Sequence, residues 1–161
     1  MNDIQRADAV YDALLGRQGE AWVEPRMERV GRLLELLGDP QRSYRVIHVT
    51  GTNGKTSTSR MIESLLRAHD LRTGLFTSPH LERFTERIMI DGEPIGDAAI
   101  ADAWDDLVPV LTLVDAELVA DAQSPLTFFE VLTALAFVAR ADAPVDVLVL
   151  EVGMGGAGDS T

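Results

Sequence analysis

The sequence predicts an α/β fold, a mostly parallel sheet flanked by helices, and three observations carry that expectation. Val46, Ile47 and Val49 form a short β-branched run that leads into the glycine turn Gly51–Gly54 and then a helix. Arg72–Phe76 reads as a second strand after that helix, so Arg45–Phe76 makes one βαβ unit. Val145–Val152, VDVLVLEV, is a continuous apolar run of the kind a buried central parallel strand shows.

Ile4, Ala7, Val10, Tyr11, Leu14 and Leu15 recur at helical spacing, and Gly16 stops the run. Met27, Val30, Leu33, Leu34 and Leu37 predict a second helix, closed by Gly38 and Pro40. Gln18–Pro25, with Trp22, lies between them as a loop. Met61, Ile62, Leu65 and Leu66 form the expected buried face of the helix after the glycine turn. Ile88–Ile90 and Pro94–Ile95 flank Asp91-Gly92, a hairpin-turn dipeptide. Asp97 is placed to cap a helix carrying Ile100, Trp104, Leu107, Val108 and Leu111, which Pro109 should kink or end. Ala116–Pro125 is polar and reads as a connection. Thr127 with Glu130 makes a capping box for a helix running to about Ala141.

The glycine turn carries chemistry. Gly51-Thr52-Asn53-Gly54-Lys55-Thr56, between a strand and a helix, is built as a phosphate-binding loop. Its glycines let amide N–H groups approach phosphate oxygens, and the helix start adds partial positive charge. Lys55 would reach the outer phosphates, and the Thr56 hydroxyl would ligate Mg²⁺. The general pattern G-x-x-x-x-G-K-[ST] asks for glycine where this chain has Val49, so the loop is a variant. Glu151, at the carboxyl end of the apolar strand, is a Walker-B-like acid for the same ion. Thr77–Arg87, TSPHLERFTER, leaves the carboxyl end of a strand, where α/β proteins place ligand contacts. Gly153–Gly158 satisfies G-x-G-x-x-G, but no helix and no acid some twenty residues on accompany it here.

Composition narrows the function classes. With 161 residues, 46% of them hydrophobic, the chain can bury a real core. A net charge of −12 tells against a nucleic-acid or anionic-membrane footprint, so phosphate binding must be local. The chain has no cysteine, hence neither disulfides nor a thiolate metal site. No apolar run is long enough to span a membrane, the first residues lack a signal-peptide core, and a cytoplasmic location fits.

Four stretches together resemble the folylpolyglutamate synthase family, whose bacterial members are often dihydrofolate synthases too: GTNGKTS at Gly51–Ser57, LFTSPHLERFTERI at Leu75–Ile88, FFEVLTALAF at Phe128–Phe137 and LEVGMGG at Leu150–Gly156. That family belongs to the Mur-ligase-like ATP-dependent amide ligases, which share the GTNGKT loop; TSPHL at Thr77–Leu81 points to the folate branch. The resemblance implies a Mur-ligase central-domain-like sheet, incomplete at its carboxyl end, in which residues 1–161 are the amino-terminal part of the ATP-binding domain. A separate glutamate-side domain would be absent from this chain. It further implies MgATP as cofactor, a folate or dihydropteroate and L-glutamate as substrates, and a monomer when full length. Gly51, Thr52, Asn53, Gly54, Lys55, Thr56 and Ser57 would then hold the ATP phosphates. Thr77, Ser78, Pro79, His80 and Phe84 would border the folate, and Thr56 (or Ser57), Ser78 and Glu151 would serve the metal. No residue is assigned an acid–base or nucleophilic role. The chain departs from the family at Ala157–Thr161, where relatives carry Arg and then an Asp-Ala-Thr-Asn-like segment. A Mur-type ligase of cell-wall precursors, a phosphotransferase using the same loop, and a nucleotide-binding fragment without catalysis stay open as alternatives.

Overall fold

A computed structural model describes residues 1–17, 27–80 and 82–151. The Gln18–Pro25 loop with Trp22, Leu81, and the glycine-rich segment after Glu151 lie outside the described residues.

Among the described residues five α-helices and five strands are formed: α1 (Asp3–Leu15), α2 (Met27–Leu36), β1 (Arg45–Val49), α3 (Lys55–Ala68), β2 (Thr73–Phe76), β3 (Ile88–Ile90), β4 (Glu93–Pro94), α4 (Asp97–Ala120), α5 (Phe128–Asp142) and β5 (Val147–Glu151). They make one sheet of order β1-β5-β2-β3-β4. β5 pairs in parallel with β1 and β2, while β3 and β4 add an antiparallel hairpin. β1 and β2 are therefore not neighbours. The βαβ unit is present, but its crossover leaves a gap that β5 fills, with Leu148 opposite Val46 and Gly74. A strand flanked on both sides and covered on both faces needs an apolar side chain at nearly every position, which explains VLVLE.

Side chains divide the sheet into two faces. Gly74, Phe76, Leu148 and Leu150 look toward α5, where Phe76 meets Phe129 at 5.9 Å. Thr73 lies on the opposite face, where its hydroxyl donates to Glu63 of α3 at 2.6 Å. Helix α5 is buried on all sides from Val131 to Arg140, between the sheet and helices α1, α2 and α4. Each fully buried leucine there stabilises by roughly 2 kcal/mol.

Local signals explain most boundaries. Asn2 accepts from the Gln5 amide at 2.9 Å while the Gln5 side chain accepts from Asn2 N–H, a capping box that starts α1. Gly38 at φ 82° ends α2 with Asp39 N–H bonded to Leu34 O, a Schellman closure. Asp91 and Gly92, at φ 50° and 85°, form the tight turn between β3 and β4. The Thr127–Glu130 capping box holds as expected, at 2.7 and 3.4 Å.

Four expectations are corrected. Gly96, not Asp97, is the cap residue of α4; the Asp97 carboxylate instead pairs with Arg83 at 2.8 Å. Pro109 does not end α4, which continues to Ala120 because Leu111, Val114 and Leu118 still have a core to bury against. The polar stretch from Ala116 is accordingly helical through Ala120. The predicted apolar face of α3 is split: Met61 and Leu65 are 60% and 64% exposed, whereas Ile62 and Leu66 are half-buried on the same helix face as the buried Ser59 and Glu63. Tertiary pairing decided that orientation, because the Glu63 carboxylate accepts from the Thr73 hydroxyl on the inward side and from the half-exposed Arg67 at the rim.

Candidate nucleotide-binding site

Three carboxyl-end features converge on one corner of the sheet. The loop after β1 leads into α3, β5 ends at Glu151, and the segment after β2 begins at Thr77. Parallel alignment of β1, β5 and β2 brings these ends side by side, as expected of a ligand crevice in an α/β sheet.

Gly51 has φ 146° and Gly54, the cap residue of α3, has φ 72°; a side chain is strained at either. Gly51, Thr52, Asn53 and Gly54 are exposed, with nothing within 4 Å of a Cβ placed on Gly54. The backbone here is open to an incoming anion at the start of a helix. Lys55 folds back over the loop, its Nζ donating to Gly51 O at 2.7 Å. The Thr56 hydroxyl reaches the Glu151 carboxylate, 2.8 Å from Oε1 and 2.9 Å from Oε2. Ser57 is exposed, so of the two hydroxyls considered for the metal the structure brings Thr56 to Glu151.

Glu151 is only 4% exposed and makes no ion pair among the described residues. Its contacts are the Thr56 hydroxyl and the Ser78 amide, which donates at 3.4 Å. A buried carboxylate with no counter-charge is costly. A hard cation beside it would remove that cost. The donor set is all oxygen and contains one carboxylate, which suits Mg²⁺ completed by phosphates and water. Among the described residues there is no group of three His, Asp or Glu side chains to form a self-contained cage. The residues therefore fit a metal carried in with phosphate rather than one held by protein alone.

Across the corner lie the predicted substrate residues. Thr77 is buried and its amide donates to Arg87 O at 3.0 Å. Ser78 is half-buried, and Pro79, after a cis peptide bond, is exposed. His80 Nδ1 accepts from Arg87 Nε at 2.8 Å, and Nε2 lies 3.3 Å from Tyr11 Oη. Phe84 is buried beneath Tyr11, the rings stacked at 5.1 Å. The Arg87 guanidinium lies over the Phe128 ring at 5.6 Å. Burial, and then the charge of Arg87, lower the His80 pKa, with Glu86 opposing.

Two of these partners escape a reading of spacing alone. Tyr11 belongs to the periodic apolar face of α1, and nothing in the sequence links it to a residue 69 positions away. Arg87 is visible as a cation in TSPHLERFTER, but its bond to His80 comes from the loop closing on itself.

The Mur ligase middle domain model matches residues 49–161. The chain is 49% identical over 148 residues to a dihydrofolate synthase/folylpolyglutamate synthase of Mycobacterium tuberculosis, covering 90% of this chain and 30% of that protein. It superposes with TM-score 0.91 and 46% identity on a Mycobacterium tuberculosis folylpolyglutamate synthase complexed with ADP, covering 99% of this chain and 35% of that one. An FPGS–AMPPCP–folate complex matches with TM-score 0.86 and 41% identity, over the whole of this chain and 37% of its own. The chain thus spans about a third of the length of the relatives it matches. A glycine loop between a strand and a helix, an acid-ended central strand and a family match over most of the chain agree: this chain belongs to the Mur ligase middle-domain family.

Proposed function

We propose that this chain is the nucleotide-binding part of an ATP-dependent ligase that joins L-glutamate to a folate. The observation that carries the reading is the Thr56–Glu151 contact at the foot of the Gly51–Lys55 loop, beside the segment that begins at Thr77. The relatives above are named for folate ligation, and one solved relative holds AMPPCP with folate.

In such a reaction the folate carboxylate takes the γ-phosphoryl group of ATP, and the glutamate amine then attacks the activated carbonyl and expels phosphate. The protein's share is positioning and charge neutralisation. Amides of Gly51, Thr52, Asn53 and Gly54 would cradle phosphate oxygens, with Lys55 exchanging Gly51 O for the outer phosphates and Ser57 at the loop's helical side. Thr56, Ser78 and Glu151 would hold Mg²⁺. Magnesium, when bound, neutralises the developing charge on the transferred group. Thr77, Ser78 and Pro79 would border the folate, with His80 and Phe84 behind them. The same reading carries with it a cytoplasmic, monomeric enzyme. Among the described residues no helix is long and apolar enough to cross a membrane.

Titration calorimetry tests the site. Lys55→Ala should weaken MgATP binding at least about tenfold, or about 1.4 kcal/mol. Unchanged affinity would remove the loop from the nucleotide site. Product that requires both a folate and L-glutamate, with ADP released, is the expected outcome of turnover by the whole protein. Phosphate transfer to a hydroxyl without any amine would make it a phosphotransferase instead.

A further inference from the structure

Both ring nitrogens of His80, in the Thr77–Arg87 loop, have hydrogen-bond partners within the protein. A guanidinium is always protonated and never accepts a hydrogen bond, so Arg87 Nε is the donor in its 2.8 Å contact with His80 Nδ1. Nδ1 must then present its lone pair. The imidazole is neutral, its proton sits on Nε2, and that N–H points to Tyr11 Oη at 3.3 Å. Tyr11 is in turn fixed by its stack on buried Phe84, the two rings 5° from parallel, and it meets the His80 ring edge-on at 5.5 Å. Arg87 is fixed from the other side by the Phe128 ring. Both ring nitrogens of His80 are spent on protein partners, so neither is spare for a substrate.

The same contacts close a loop. Its neck is tied twice to Arg87, by the backbone bond from Thr77 N–H to Arg87 O and by the side-chain bond to His80. Ser78 lies between the two ties, with its amide 3.4 Å from Glu151 Oε2. Exposed Pro79 offers no packing of its own to hold that stretch.

We propose that His80 is a positioning residue: clamped between Arg87 Nε and Tyr11 Oη, it pins Ser78 against Glu151 and so presets the metal side of the nucleotide site. The inference rests on the magnesium-nucleotide reading above and adds to it a residue that acts without touching the nucleotide. Groups that orient a metal's ligands from behind matter to affinity in proportion to how loosely the ligand sits without them.

ADP binding to the whole protein, measured with and without Mg²⁺, tests this. His80→Ala should weaken MgADP binding about tenfold, as loss of a supporting hydrogen bond behind a metal ligand does. Metal-free ADP binding should not move, since the Gly51–Thr56 cradle does not depend on His80. His80→Asn, whose Oδ1 can accept from Arg87 as Nδ1 does, should recover most of the loss; His80→Leu, of similar bulk without an acceptor, should not. Nitrogen NMR of the imidazole in the ligand-free protein should show the neutral form protonated at Nε2, and this needs no variant to fold. The proposal is overturned by a proton on Nδ1, by equal losses with and without metal, or by a His80→Leu protein as good as His80→Asn. A wild-type protein that binds no MgADP overturns the nucleotide reading and this inference together; wild-type binding with an unaffected His80→Ala overturns this inference alone.

Discussion

The two faces of the central sheet are held by different means. On one, Phe76, Leu148 and Leu150 meet α5, itself buried along almost its whole length, in a continuous apolar core. On the other, α3 buries Ser59 and Glu63 and half-buries Ile62 and Leu66, while its apolar residues Met61 and Leu65 stand in solvent. β1 shows a second asymmetry, of edge against centre: Val46 is 37% exposed at the sheet's edge, whereas every residue of β5 beside it is buried. The difference teaches where stability and function sit. The α5 face supplies the core, while the α3 face carries the Gly51–Gly54 loop at the start of α3 and leaves apolar surface available for contact.

If the α5 face supplies most of the stability, a cavity there should be the most damaging change. Leu148→Ala, at a fully buried central-strand position, should cost about 2–5 kcal/mol by denaturant unfolding. A loss below about 1 kcal/mol would mean that the two faces are not so unequal.

Gly74 sharpens the comparison at one residue. A Cβ there would lie 2.8 Å from Arg140 Nε and 3.1 Å from Leu148 Cδ1. Arg140 is fully buried, and its guanidinium is tied to Leu75 O at 2.6 Å and to Ala136 O at 3.2 Å, so it has little room to yield. Burial pulls its pKa down to about 10 and pushes the neighbouring Tyr44 phenol up to about 12, marks of a tightly enclosed pocket. Gly74→Ala should therefore cost about 1–3 kcal/mol through overpacking. Unchanged stability would show that Arg140 can move aside.

The smallest effect should come from the outer face of α3. Met61→Lys with Leu65→Glu should change unfolding free energy by no more than about 0.5 kcal/mol, because neither side chain is packed. The same pair should reduce self-association in sedimentation or light scattering, since it removes exposed apolar surface. A large destabilisation would mean that this face is buried in the protein as it exists in solution.

Much of this molecule was legible before any coordinates. The strand–glycine–helix order at Arg45–Thr56 dictates a tight turn into a helix, because glycine takes the positive φ angles found at Gly51 and Gly54 without strain. VLVLE dictates a strand buried on both faces, and Asp91-Gly92 dictates a hairpin turn. Thr127 and Glu130 start α5 through contacts three residues apart. All of these are local, so neighbouring side chains suffice to determine them.

Long-range pairing decided the rest. The sequence does not say that β5, the last strand, inserts between β1 and β2, because order in a sheet depends on which edges meet. Periodicity marks apolar residues on α3 but not how they divide between sheet and solvent, and the buried Glu63–Thr73 bond fixes a rotation that leaves Met61 and Leu65 outside. Pro109 carries a local helix-breaking signal that the core beneath α4 overrides. At the site, Thr56 and Glu151 are 95 residues apart and Tyr11 and His80 are 69 apart, yet each pair is in hydrogen-bond contact. Residue type made Thr56, Glu151 and His80 candidates but not Tyr11; only the packing of helices and strands from distant parts of the chain decided which would meet.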